Sequence, residues 1–245
     1  MLQVQKLAKI YPNGARALDE ISFEVAGGEF VVVLGKSGAG KSSLLRCINR
    51  LVEPSGGRIV FRGREITGAN AHDLRIRRRK IAMIFQNYNL VKRCSVLTNV
   101  LCGRLGYTSS WAGLVNHFSR RDVHRAAQNL ERLGIADTAH RRADTLSGGQ
   151  QQRVGIARAL MQEPSLILAD EPVSSLDPAM ATTILDILKR INEQDGVTIV
   201  CNLHIPDLGK QYASRIIALK NGGKIFDGPP GEFDEAVARE TYANS

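Results

Sequence analysis

The sequence predicts an α/β fold: a mixed, largely parallel sheet with an antiparallel β subdomain at its N-terminal end and a helical subdomain inserted in its middle. Three observations carry that prediction. Phe30–Leu34, Leu166–Ala169 and Val197–Cys201 are short, almost wholly apolar runs, the pattern of strands buried on both faces. Pro178–Asn192 has helical spacing in Ile184, Ile187, Leu188 and Ile191, and strand–helix–strand alternation builds a parallel sheet. From Tyr88 to Pro164 no segment reads as a strand. The expected division is a core from 1–87 and 165–245, with 88–164 inserted as the helical unit.

The elements follow in order. Leu2 and Val4, then Ile21, Phe23 and Val25, alternate with polar residues and break at Gly27-Gly28, which predicts antiparallel strands and a turn. After Phe30–Leu34 comes a glycine-rich turn, and Ser42–Arg50 reads as a helix. Ile81–Phe85 is a second five-residue apolar run. The middle holds three helices, Val96–Leu101, Arg121–Leu133 and Gly149–Met161. Pro178 suits the first turn of the helix it opens. Arg215–Leu219 and Lys224–Phe226 read as strands joined at Asn221-Gly222, a hairpin turn.

Composition narrows the function. The 245 residues carry 33 Lys and Arg against 24 Asp and Glu, a net charge of +9, and 43% are apolar, enough for a real core. With 5% aromatic and one Trp, stacking platforms for single-stranded nucleic acid are scarce. Five-residue apolar runs fall far short of the ~20 residues a spanning helix needs. The opening MLQVQKLAKIYPNG has no apolar core of a secretory signal. Cys47, Cys94, Cys102 and Cys201 lie far apart, which predicts reduced thiols in a cytosolic protein and not a zinc site.

The chemistry concentrates in three motifs. Gly35-Lys36-Ser37-Gly38-Ala39-Gly40-Lys41-Ser42 fits G-x-x-x-x-G-K-[ST] between a buried strand and a helix. Its glycines let backbone N–H groups curl around phosphate, and the helix N-terminus adds partial positive charge. Lys41 would reach the β and γ phosphates and Ser42 would ligate Mg²⁺. Asp170-Glu171 ends a buried strand expected to lie beside the loop strand, where Asp170 can hold Mg²⁺ and Glu171 can orient and deprotonate a water. Leu146-Ser147-Gly148-Gly149-Gln150 opens a helix with Ser at its N-cap, a second N-terminus shaped for an anion.

In these motifs the chain resembles the ATP-binding subunits of ABC transporters over essentially its whole length. The resemblance implies a P-loop NTPase core, with Tyr11 stacking on adenine, Gly35 to Ser42 as the Walker A loop around ATP, and Ser43 as a further nucleotide-binding residue. It implies Gln86 as the Q-loop glutamine, completing the Mg²⁺ set with Ser42 and Asp170, and Leu146 to Gln150 as the signature motif. Glu171 is implied as the catalytic base, Ser175-Leu176-Asp177 as the D-loop and His204 as the switch histidine. Two copies would dimerise head to tail, Ser147 and Gly149 of one covering the γ phosphate of the other. The implied partners are a separate membrane permease and, indirectly, an extracytoplasmic solute-binding protein, with this subunit at the cytoplasmic face of the inner membrane.

Within that family Leu45-Arg-Cys-Ile-Asn-Arg50, Gly103-Arg-Leu-Gly-Tyr-Thr-Ser-Ser-Trp111 and Asn202-Leu-His204 resemble the ATPases of phosphonate importers. Importers of phosphite or other phosphorus oxyanions share much of this pattern, and polar amino acid importers share the scaffold. Three residues depart from the family's pattern: Lys36 in place of Pro, Gly155 in place of Ala, and Pro206 shortly after His204. Residues 75–165 hold 16 Lys and Arg against 5 Asp and Glu, whereas the rest holds 17 against 19. The basic run Leu74-Arg-Ile-Arg-Arg-Arg-Lys80 is therefore expected to serve docking at an anionic membrane face, and nucleic acid is not an expected partner.

Overall fold

The computed structural model describes residues 1–108 and 118–243. Two sheets form. The first is antiparallel, in the order β2 (Arg16–Val25), β1 (Leu2–Ile10), β4 (Gly56–Phe61), β5 (Arg64–Glu65). The second runs β10 (Gly223–Gly228), β9 (Arg215–Lys220), β3 (Phe30–Leu34), β8 (Thr198–Asn202), β7 (Leu166–Asp170), β6 (Ile81–Ile84). Strands β9 to β6 are parallel and only the edge strand β10 is antiparallel.

The central strands are apolar throughout because each face has its own core. Phe30, Val32 and Leu34 point into one cluster with Ile84, Ala169 and Cys201. Val31 and Val33 point into the other with Met83, Leu168 and Val200. That second core lies between the sheets and encloses helix α1 (Lys41–Ile48) through Leu44, Leu45 and Ile48. Helix α6 (Pro178–Asp195) covers the first core through Ile184, Leu188 and Ile191.

Among the described residues of 88–164 the regular elements are helical: α3 (Val96–Leu101), α4 (Arg120–Arg132), α5 (Gly148–Leu160) and short 3₁₀ turns. An isolated bridge joins Ser95 and Arg142. Their apolar residues Val96, Leu130 and Val154 belong to the same cluster as Ile84 and Ala169. The helical region is thus packed onto the sheet through a continuous core.

Several elements escape the sequence pattern. Helix α2 (Ala71–Arg78) buries none of its residues, so hydrophobic periodicity has nothing to report, although Asn70 caps it by accepting from Asp73 N. Strand β4 opens Gly-Gly-Arg and is apolar only in its second half. Helix α7 (Pro206–Tyr212) carries Pro in its first turn, as expected, and α8 (Glu235–Tyr242) is too short for a clear period. Strand order brings one correction. The strand ending in Asp170 is not beside the loop strand: β8 lies between β3 and β7.

Candidate functional site

The loop between β3 and α1 is built from glycines that close packing demands. A Cβ on Gly35 would overlap the Leu219 carbonyl oxygen, and one on Gly40 would overlap that of Ala17. Gly40 also sits at φ 103, in the left-handed region, as the N-cap of α1. Lys41 is 3% exposed, and its Nζ donates to Gly35 O at 2.7 Å and Lys36 O at 3.0 Å. Nδ1 of His204 lies 3.4 Å from the same nitrogen. Burial lowers the Lys41 pKa from its ordinary value, while Glu171 and then Asp170 act to raise it.

Asp170, 1% exposed, closes β7 at the C-terminal edge of the sheet. Its Oδ1 accepts from Ser42 Oγ at 2.7 Å and Asn202 Nδ2 at 2.9 Å, and Arg46 Nη2 stands 3.4 Å from Oδ2. Asn202 ends the intervening strand β8, so the extra strand adds a ligand to the carboxylate instead of separating it from the loop. Glu171, next in sequence, sits at φ 51, a left-handed conformation that turns the chain out of the strand. Its Oε1 lies 2.6 Å from His204 Nε2. Lys41, Asp170, Glu171 and His204 therefore meet at one edge of the central sheet.

Tyr11 sits in the turn between β1 and β2, where its N–H donates to Ala15 O. Its hydroxyl is 3.1 Å from Ser43 Oγ, and Lys9 Nζ lies 5.0 Å from the ring centroid. Gln86 is exposed, two residues beyond Ile84, which pairs with Ala169. This register sets Gln86 at the same sheet edge as Asp170. A glycine loop, a buried lysine and two carboxylates meet here, an arrangement that could receive a triphosphate and its metal ion.

A sequence profile of the ABC transporter family matches residues 18–174, a span that includes the loop and both carboxylates. The chain belongs to the ABC transporter family. It is 53% identical over 243 residues to the phosphonates import ATP-binding protein PhnC of Bdellovibrio bacteriovorus, covering 99% of this chain and 93% of that one. A second relative, PhnC 1 of Halalkalibacterium halodurans, is 50% identical over 242 residues, 99% of this chain and 94% of the relative. Among solved structures, a dimeric bacterial ABC transporter cassette matches with a TM-score of 0.83 at 33% identity, covering 94% of this chain and 99% of that one. A dimeric cassette in a post-hydrolysis state with ADP and Pi matches with a TM-score of 0.81 at 33% identity over the same shares.

The cassette's remaining motifs lie around helix α5. Ser147 is its N-cap in a capping box: Ser147 N donates to Gln150 Oε1 at 3.1 Å and Gln150 N to Ser147 Oγ at 3.4 Å. Leu146 is buried just ahead of it. Both glycines of the motif have packing reasons inside this chain. A Cβ on Gly148 would lie 2.9 Å from the Tyr88 hydroxyl, and one on Gly149 would lie 2.6 Å from Met180 Sδ. Ser175 and Leu176 precede Asp177, whose Oδ1 caps α6 by accepting from Met180 N at 2.9 Å. Residues 146–150, the start of α6 and the segment after Gln86 therefore approach one another at Tyr88, Leu176 and Met180.

Sequence reasoning missed Arg46, Tyr88, Met180 and the role of Asn202. Arg46 had a signal, since it follows Ser42 by one helical turn and shares its face. Asn202 had none, because nothing in the sequence reveals that β8 inserts beside β7. The described residues of the Gly103–Trp111 segment also have structural work. Arg104 lies over the Tyr107 ring at 4.1 Å, and the Tyr107 hydroxyl donates to Gln162 O at 2.8 Å and Arg79 O at 3.2 Å. Ser109, Ser110 and Trp111 lie outside the described residues.

Proposed function

We propose that this chain hydrolyses ATP to energise the uptake of phosphonates through a separate membrane permease. The observation that carries the reading is near-full-length identity of about half to proteins named for phosphonate import. Among the described residues no helix is long and apolar enough to cross a membrane. In this reading the permease is a separate chain on whose cytoplasmic side this subunit docks. An extracytoplasmic solute-binding protein delivers the phosphonate to that permease.

The proposed site roles rest on the family resemblance, with the geometry in support. Lys41 gives up its loop carbonyls and His204 for the β and γ phosphates, while Gly35 to Ser43 wrap the phosphate chain and Tyr11 stacks on adenine. The Ser42 hydroxyl and Asp170 carboxylate, 2.7 Å apart, are hard oxygen donors that fit Mg²⁺, with Gln86 at the same edge. When bound, that ion neutralises charge developing on the phosphates. Glu171 takes the proton of the attacking water. His204, within reach of both Lys41 and Glu171, contacts the γ phosphate and fixes the geometry. In the dimer Ser147 and Gly149 of one copy close the site of the other, with Ser175 to Asp177 across the interface.

The test is reconstitution with the cognate permease and binding protein in vesicles. Phosphonate-loaded binding protein is expected to stimulate ATP hydrolysis well above the unloaded protein. Equal rates with and without every phosphonate tried, beside stimulation by another solute, would reassign the cargo and leave the ATPase intact.

A further inference from the structure

Helix α8 reaches the nucleotide cleft from the far end of the chain. Phe233 is fully buried ahead of it and meets Phe226 edge to face at 5.4 Å. Asp234 caps it by accepting from Val237 N, and Val237 and Ala238 pack on the larger core cluster. Thr241, 1% exposed, donates to Val237 O at 2.7 Å. So anchored, the last helical residue, Tyr242, donates its hydroxyl hydrogen to His204 O at 3.2 Å.

His204 has few other restraints on that side. Upstream, Leu203 N donates to Val33 O at 3.1 Å, which ties the segment to the loop strand. Downstream, the N-cap of α7 is Ile205, with no side-chain cap, and Pro206 has no N–H to offer. The two backbone anchors, one before the imidazole and one on its own carbonyl, leave the ring aimed at Lys41 and Glu171. We infer that Tyr242 is a positioning residue for hydrolysis, its phenol holding the His204 backbone so that the imidazole stays on the γ-phosphate side of the cleft. Burial raises the phenol's pKa from its ordinary value, and the facing Gly35 backbone N–H acts against that rise.

This inference rests on the proposed role of His204, and the test separates the two. Tyr242→Phe keeps the ring and removes only the hydroxyl. In the full chain it is expected to lower kcat by about 5-fold, the order of one hydrogen bond, with KM for MgATP and the thermal midpoint nearly unchanged. Added to His204→Ala, it is expected to cost nothing further. A wild-type kcat in Tyr242→Phe overturns the inference, as does the same loss repeated in the His204→Ala background. A fall in thermal midpoint with a raised KM and unchanged kcat also overturns it, since docking alone would explain that result. Wild-type turnover in His204→Ala would remove the histidine itself from hydrolysis.

Discussion

Around the phosphate loop, Lys41, Asp170, Glu171 and His204 answer one another in a cleft, whereas around helix α5 and the C-terminal end of α1 several cations donate to backbone carbonyls, and Arg104 and Arg50 also pair with Asp122 and Glu53. Arg78 donates to Asn49 O at 2.9 Å and Arg50 O at 2.6 Å, at the end of α1. Lys80 donates to Glu163 O at 3.0 Å and Arg104 to Met161 O at 3.3 Å, just past α5. Arg158 donates to Tyr88 O and Asn89 O at 2.8 and 2.6 Å. Unpaired carbonyls at a helix C-terminus favour such cations. Part of the positive excess of 75–165 is thus an internal frame, and within the basic run 75–80 Arg78 and Arg79 have partners inside the chain. Arg79 lies over the Tyr107 ring at 5.0 Å. One region gathers charge in a cleft and the other uses it to tie helix ends and loops in place.

The largest expected effect tests the chemical side. Glu171→Gln keeps the shape and the contact to His204 but removes the base, so turnover should fall by at least ~100-fold. ATP affinity, measured by calorimetry, should stay near wild type because the residue does not hold the phosphates. Full steady-state hydrolysis by this variant would take Glu171 out of the role.

Second in size is a break on the framework side. Arg78→Ala leaves two carbonyls at the end of α1 without their donor, a cost of about 2 kcal/mol. For a chain of this size that is a fall of roughly 4–8 °C in thermal midpoint. The Arg78 pKa is lowered chiefly by burial and secondly by neighbouring Arg50, so the guanidinium is held there against its own desolvation. Arg121→Ala, on the exposed face of α4, should leave the midpoint unchanged. Equal midpoints for the two variants would end the distinction between framing and surface cations.

The cleft was more legible than the frame, for a physical reason. Gly35 to Ser42 is one contiguous stretch whose backbone makes the site, and Asp170-Glu171 closes an apolar run, so each reads without knowing the fold. The contacts of Asn202 to Asp170, or Tyr242 to His204, depend on strand order and on a helix far along the chain. The basic run 75–80 shows the same limit from the other side. Its composition is visible, but whether a guanidinium meets water or a carbonyl is set by where α1 and α5 end.

A smaller effect is expected from Tyr107→Phe, which keeps the ring against Arg79 and Arg104 but loses the hydroxyl bonds to Arg79 O and Gln162 O. The thermal midpoint should drop by the equivalent of ~1 kcal/mol, with kcat unchanged. A fall in kcat without loss of stability would mean that this segment tunes the signature helix and does more than frame it.

Gly155 supplies the smallest effect and the finest test of how α5 is packed. Gly103, packed against this helix, is required by close approach, since a Cβ there would overlap Arg158 O, and a Cβ on Gly149 would press on the Met180 side chain at 2.6 Å. At Gly155 the nearest neighbour of an added Cβ would be Tyr88 O, at 3.9 Å, an ordinary contact. Nothing there asks for glycine, while the helix interior loses backbone entropy for having one. Gly155→Ala should therefore raise stability by about 0.5–1 kcal/mol in denaturant melts, with turnover unchanged. At Gly149 the added Cβ would press on the flexible end of Met180, which must shift, so Gly149→Ala should gain less than Gly155→Ala. A destabilising Gly155→Ala would show that α5 needs room at this point to shift against the segment following Gln86, and the frame would then belong to the working parts of the cassette.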